Sequence, residues 1–97
     1  MKFEDVKREI LERSDIVEII SESVFLRKVG RNFVGLCPFH SEKTPSFNVS
    51  PDKKIYKCFG CGRSGDVFTF LMENNRMTFS EALNYLAKRY GIAIEQT

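Results

Sequence analysis

The chain has 97 residues, 42% hydrophobic and 29% charged, a composition that suits one small globular domain and excludes an intrinsically disordered one. Three cysteines cannot pair completely, which argues against a secreted disulfide framework; the charged start Met1-Lys2-Phe3-Glu4-Asp5 is unlike a signal peptide, and no apolar run approaches the roughly 20 residues that cross a bilayer. The net charge of +2 hides an asymmetry: residues 1–22 hold four Lys/Arg against seven Asp/Glu, residues 23–65 eight against two, and residues 66–97 three against four, which points to a polyanionic partner for the middle of the chain.

Residues 3–13 have the periodicity of a charged amphipathic helix, with Phe3, Val6 and Ile10 on one stripe. Asp15-x-x-Glu18 has capping-box form and opens a second short helix carrying Ile16, Ile19 and Ile20. Residues 24–28 and 32–36 then read as two strands joined by a turn at Gly30, and residues 46–50 and 54–57 as a second pair joined through Pro51-Asp52-Lys53. Asp66 caps a helix with Val67, Phe70 and Leu71 that stops near Asn74-Asn75. Thr78-x-x-Glu81 is another capping box, followed by Phe79, Ala82, Leu83, Leu86 and Tyr90 at helical spacing, with Gly91 just past the helix end. Residues 92–94 read as a short strand, and Phe68, Phe70, Met72 and Phe79 as core. The expected architecture is α+β over residues 1–97 as one domain, a small antiparallel sheet of two hairpins flanked by N- and C-terminal helices.

Cys37-Pro38-Phe39-His40 and Cys58-Phe59-Gly60-Cys61 are two short pairs separated by 17 residues, and they use every cysteine and the only histidine. Each pair can form a tight knuckle aiming both side chains at one point, and the second hairpin can bring the knuckles together. Three thiols and one imidazole suit a single tetrahedral Zn²⁺, while soft thiolates argue against Mg²⁺ and Ca²⁺; iron would accept the same donors. Four protein ligands leave no open position, so the expected site is a structural zinc ribbon with no catalytic residue. His40-Ser41-Glu42 with Cys58-x-x-Cys61 partly matches a zinc deaminase signature, but Cys37 takes the place that water would need and Lys57 stands where that signature has Pro. Gly60 and Gly62 bracket Cys61 and ease the backbone turns such a knuckle needs.

The basic residues fall on the hairpins. Arg27, Lys28 and Arg31 flank the first turn, and Lys53, Lys54 and Lys57 lie on or beside the second, with Phe25, Phe33, Tyr56 and Phe59 interleaved. Cations for phosphates and aromatic faces for unstacked bases are the combination that binds single strands. By the period of two, Arg27 shares a face with Phe25, and Lys54 with Tyr56.

The runs Gly30-Arg31-Asn32-Phe33, Cys37 through His40 to Thr44-Pro45-Ser46-Phe47, and Cys58-Phe59-Gly60-Cys61-Gly62 closely resemble the N-terminal zinc-binding domain of bacterial DNA primase. Ser14-Asp15-Ile16-Val17 and Gly65-Asp66-Val67-Phe68-Thr69-Phe70-Leu71 fit the same family. The resemblance implies a cytoplasmic template-recognition module that contacts single-stranded DNA and supports RNA primer synthesis by a separate polymerase domain, engaged in cis or in trans. It also implies that the replicative helicase is met through a longer protein, and that no membrane is involved. The alternative is a zinc-ribbon interaction module docking on the polymerase domain. Family likeness places Arg27 and Arg31 on the template-facing sheet; Lys28, Phe33, Lys43, Lys53, Lys54, Tyr56 and Lys57 extend that surface on charge and strand geometry. Asn32 and Ser46 are candidates for base-edge hydrogen bonds, and either can equally stabilise a turn.

Overall fold

A computed structural model describes residues 3–41 and 43–94. The expected place of the Phe3 side chain on the first helical stripe, and the acid suggested at Glu42, lie outside the described residues. Helix α1 (Phe3–Arg13) buries Val6 and Ile10, one turn apart, and carries Glu4 and Asp5 in its first turn, where acids favour the helix dipole. Helix α2 (Ile16–Ser21) is capped by Asp15, whose carboxylate accepts from the Glu18 amide at 3.1 Å. The return half of this box is made from a distance: the Asp15 amide donates to Tyr90 Oη at 3.0 Å, and the Glu18 carboxylate goes to Arg89 at 2.6 Å.

Strands β1 (Arg27–Val29), β2 (Asn32–Gly35), β3 (Phe47–Ser50), β4 (Ile55–Cys58) and β5 (Ser64–Gly65) form one antiparallel sheet in the order β1-β2-β3-β4-β5. The two expected hairpins are therefore halves of a single meander, joined by the pairs Phe33↔Val49, Val34↔Asn48 and Gly35↔Phe47. The first hairpin turns through Gly30 at φ +65°, a left-handed conformation that costs glycine little. Its first strand starts later than expected because the chain at Phe25 crosses Gly35: a Cβ there would sit 2.5 Å from the Phe25 carbonyl oxygen. The second hairpin closes through residues 51–54, with Lys54 at φ +57°. Strand β5 was not expected; it pairs Gly65 with Tyr56 and Ser64 with Lys57 on the outer edge of β4.

Helix α3 (Val67–Asn74) starts at Asp66, which accepts from the Phe68 and Thr69 amides at 3.0 and 3.1 Å. Helix α4 (Phe79–Arg89) starts with the full Thr78/Glu81 capping box. It ends with Gly91 at φ +66°, the Ile92 amide returning to the Ala87 carbonyl at 2.8 Å and the Gly91 amide to Lys88 at 3.3 Å. That helix-terminating turn takes the place of the strand expected at residues 92–94, where Ile92 is buried instead. The inner face of the sheet packs on the helices through Phe39, Phe47, Tyr56 and Phe70, whose ring centroids lie 5.3–6.5 Å apart. Phe68 and Phe70 are core as expected and Phe79 is half-buried, but Met72, which follows the buried pairs Val67-Phe68 and Phe70-Leu71 of α3, is 39% exposed.

Because the atom facing Gly35 is backbone, it cannot swing aside. Gly35→Ala should lower stability by about 1–3 kcal/mol in chemical denaturation, the usual cost of overpacking.

Candidate metal centre and nucleic-acid interface

Cys37 and His40 follow the end of β2, while Cys58 closes β4 and Cys61 lies in the turn that leads to β5. Their ligand atoms all lie within 4.8 Å of one another. Cys37 Sγ and Cys61 Sγ are 3.8 Å apart, and Cys58 Sγ is 3.9 Å from His40 Nδ1. A tetrahedral Zn²⁺ with bonds of about 2.3 Å to sulfur separates two thiolates by about 3.8 Å, so the sulfur pair already has the spacing the ion needs. None of the three thiols is in a disulfide. The tetrad suits one zinc ion held structurally, with Cys37 filling the fourth position.

The local chain explains why these side chains meet. The Gly62 amide donates to the Cys58 carbonyl and the Cys58 amide to the Arg63 carbonyl, both at 2.8 Å, and Gly62 takes φ +82°. Gly60 serves a different need from the one expected: it lets the imidazole approach, since a Cβ would lie 2.9 Å from His40 Nε2 and from Ser46 Oγ. Burial raises the pKa of both inner thiols. At Cys37 it prevails and the thiol is pushed up to about 12. At Cys58 it is outweighed by the Cys61 and Gly60 amides and the Ser46 hydroxyl, and the thiol falls to about 7. Ser46 Oγ, 3.6 Å from Cys58 Sγ, thus supports a metal ligand.

The alternation of β3 and β4 divides the sheet. Phe47, Val49, Tyr56 and Cys58 point inward, which leaves Asn48, Ser50, Ile55 and Lys57 outward. Register aligns Arg27, Val34, Asn48, Lys57 and Ser64 across this open face. Among the described residues, five of the seven exposed large hydrophobics, Phe25, Val29, Leu36, Ile55 and Phe59, belong to the strands or the segments beside them. Lys57 Nζ stands 5.3 Å from the Phe59 ring centroid. A groove of about 370 Å³ joins Arg31, Asn32, Lys53 and Lys57. Among the described residues, ion pairs occupy Arg13, Arg63 and Arg89, whereas Arg27, Arg31, Lys53 and Lys57 have none.

The CHC2 zinc finger model matches residues 2–97. This chain belongs to that family. It is 54% identical to the DNA primase of Clostridium acetobutylicum, over 95% of this chain and 15% of that primase, and 59% identical to the DNA primase of Thermotoga maritima, over 91% of this chain and 16% of that primase. The crystal structure of the Aquifex aeolicus primase, comprising zinc-binding and RNA polymerase domains, superimposes with a TM-score of 0.86 at 47% identity, covering 94% of this chain and 22% of that one. The chain thus spans about 15% of the length of the primases it matches. The resemblance to the primase zinc-binding domain holds in family, fold and metal centre alike.

Within this CHC2 finger the structure gathers some of the sequence candidates for nucleic-acid contact and separates others. Arg27, Arg31, Asn32, Lys53 and Lys57 border the open face or its turns. Tyr56 does not: it is fully buried against Phe47 and Phe70, so its ring is closed to a base. Lys54 does not share its face either, because its Nζ turns back to the carbonyls of Leu11, at 3.1 Å, and Glu12, at the end of α1 where helix carbonyls lack partners. Lys28 and Phe33 are register partners on the side opposite Arg27, and Lys43 lies in the exposed segment between the first knuckle and β3. Asn48, Ser50 and Ile55 also face outward, with Phe25 and Phe59 exposed beside them, and none of the five is among the contacts expected from sequence. One signal was available: Cys58 must face the metal, so counting back by two puts Tyr56 inward and Ile55, Lys57 and Phe59 outward.

Two predictions follow from these positions. The Tyr56 hydroxyl is buried without a hydrogen-bond partner among the described residues, so Tyr56→Phe should leave stability unchanged or raise it by up to about 1 kcal/mol in denaturation. Ser46→Ala should leave the domain folded with zinc bound, but lower zinc affinity roughly tenfold in competition with a chelator, as loss of a partner to a metal ligand does.

Proposed function

We propose that this chain is the single-stranded-DNA template-recognition module of a bacterial DNA primase, residues 1–97 forming one zinc-ribbon domain at the N-terminal end of a longer protein. The observation that carries the reading is the open face of the sheet, where exposed aromatic and aliphatic side chains lie beside four cations that have no acidic partner among the described residues. Such a face offers phosphate contacts from Arg27, Arg31, Lys53 and Lys57 and stacking surfaces from Phe25 and Phe59. Lys43, on its exposed segment, and Lys28, at the sheet edge, add to the surrounding positive field. Primer synthesis belongs to a polymerase domain absent from this chain, which this module serves in cis or in trans, in the bacterial cytoplasm at the replication fork; the helicase is reached through the longer protein. Among the described residues no helix is long and apolar enough to cross a membrane, and the proposal requires none.

A second reading has its own support. A groove of about 440 Å³ at the zinc end of the first hairpin is lined by Phe25, Val34, Leu36, Pro38 and Pro45, with Arg27 its one charged residue. That lining suits a protein contact better than a phosphate, and fits docking on the polymerase domain.

Titration of labelled single strands at several salt concentrations separates the two. Phosphate contact predicts that log affinity falls with log salt by about 0.7 per phosphate neutralised. Arg27→Glu with Lys57→Glu should lower affinity at least about tenfold and flatten that slope, whereas Lys54→Ala should leave the slope unchanged. Verified chelation of zinc should abolish binding in the same assay by loosening the sheet. Salt-independent affinity, or affinity intact after the charge reversals, would favour docking alone.

A further inference from the structure

Asn48 is out of place by the ordinary rules of strands. It sits mid-sheet on β3, half-buried and outward-facing, with Val34 and Lys57 as its register partners. Asparagine is disfavoured at such a position, where a β-branched residue would pack better. Its carboxamide is nonetheless oriented: Nδ2 donates to the Ser46 carbonyl at 3.2 Å. That bond uses one amide hydrogen. Among the described residues the carboxamide oxygen and the second amide hydrogen have no further partner, which leaves one acceptor beside one donor.

The surroundings complete a small recognition site. The groove of about 370 Å³ in which Asn48 lies has Asn32 and Ser50 as further polar groups, and Ile55 and Phe59 as apolar walls. Lys57 and Asp52 also line it. Arg31 and Lys53 line it too, and with Lys57 they outnumber Asp52, so the cations draw the strand's phosphates and the uncharged amide is left to face a base edge. Resting on the single-stranded-DNA reading above, we propose that Asn48 is a specificity-determining residue that reads the edge of one unstacked template base. Adenine presents an amino donor beside a ring-nitrogen acceptor, the match to a carboxamide's acceptor and donor, on both its Watson–Crick and Hoogsteen edges, and cytosine on its Watson–Crick edge alone, so adenine is the base this amide favours.

The test is selection of short DNA strands from a random pool by the zinc-loaded chain and by its Asn48→Val and Asn48→Ala variants, with pool affinity, zinc content and circular dichroism measured alongside. The unaltered chain is expected to enrich strands sharing an adenine at one fixed position. Both variants should fold, hold zinc and bind the pool within about threefold of the unaltered chain, yet lose roughly tenfold of the discrimination for that adenine. Persistence of the adenine in either folded variant overturns the proposal, as does pool binding by the unaltered chain with no adenine preference; the DNA-binding reading survives both results. Loss of all pool affinity by a folded variant makes Asn48 a general contact, and unfolding of both variants makes it a structural residue; each overturns its reading role. If the unaltered chain binds no strand at all, the DNA-binding reading itself falls and this proposal with it.

Discussion

A tetrahedral ion that takes Cys37, His40, Cys58 and Cys61 must hold the end of β2 and the end of β4 at one point, and β3 lies between those two strands. Closing the tetrad therefore fixes the width of the sheet at its centre. It also fixes which way the residues face. Cys58 is the register partner of Phe47 and stands two residues from Tyr56, so a ligand directed inward commits both rings to the inner side. A chain of this size has a thin hydrophobic margin, and the cross-link adds to it at the strand ends where Phe39 and Phe47 join the aromatic cluster.

The two faces of the sheet follow from that commitment. Phe47, Val49 and Tyr56 meet Phe39 and Phe70 and make most of the aromatic core, while their neighbours along the same strands are turned out. Among the described residues no helix covers the outward row, and apolar side chains such as Phe59 and Ile55 stay exposed there. The metal leaves the electrostatics of this surface nearly intact: three thiolates and one Zn²⁺ remove one positive charge from a segment whose formal charge is +6. An architectural role for zinc and a contact role for the sheet are thus compatible, because the ion shapes the face without standing on it.

Much of this was legible in the residues. Three helices announce themselves through Asp15, Asp66, and Thr78 with Glu81 and Gly91, each of which caps by a local hydrogen bond or a left-handed turn that needs no distant partner, and α1 through the stripe of Val6 and Ile10. The metal tetrad was legible because it exhausts the cysteines and the histidine. What sequence concealed depends on long-range geometry. Lys54 looks like one more cation in a basic hairpin, but its φ of +57° swings the side chain toward the carbonyl end of α1, more than forty residues earlier in the chain. The merging of two hairpins into one sheet rests on the β2–β3 pairing across the first knuckle, and β5 is two residues whose strand character comes from β4 alone. Tyr56 was misplaced by pairing it with Lys54, which belongs to a turn, when the ligand Cys58 was the better anchor for the alternation.

The placement of counter-charges carries the argument about function one step further. Arg89 is held by Glu18 and Glu22, Arg63 by Glu73 and Arg13 by Glu9, every acid in these pairs lying on or just beyond a helix. Lys54 is drawn to the end of α1 as well. Arg27, Arg31, Lys53 and Lys57 around the open face have no acidic partner among the described residues, and neither have Lys7, Arg8, Arg76 and Lys88 on or beside the helices. In the groove of the open face Asp52 is the one acid against Arg31, Lys53 and Lys57. That excess suits a polyanion, since a cation already paired within the protein would have to lose that partner before it could take a phosphate.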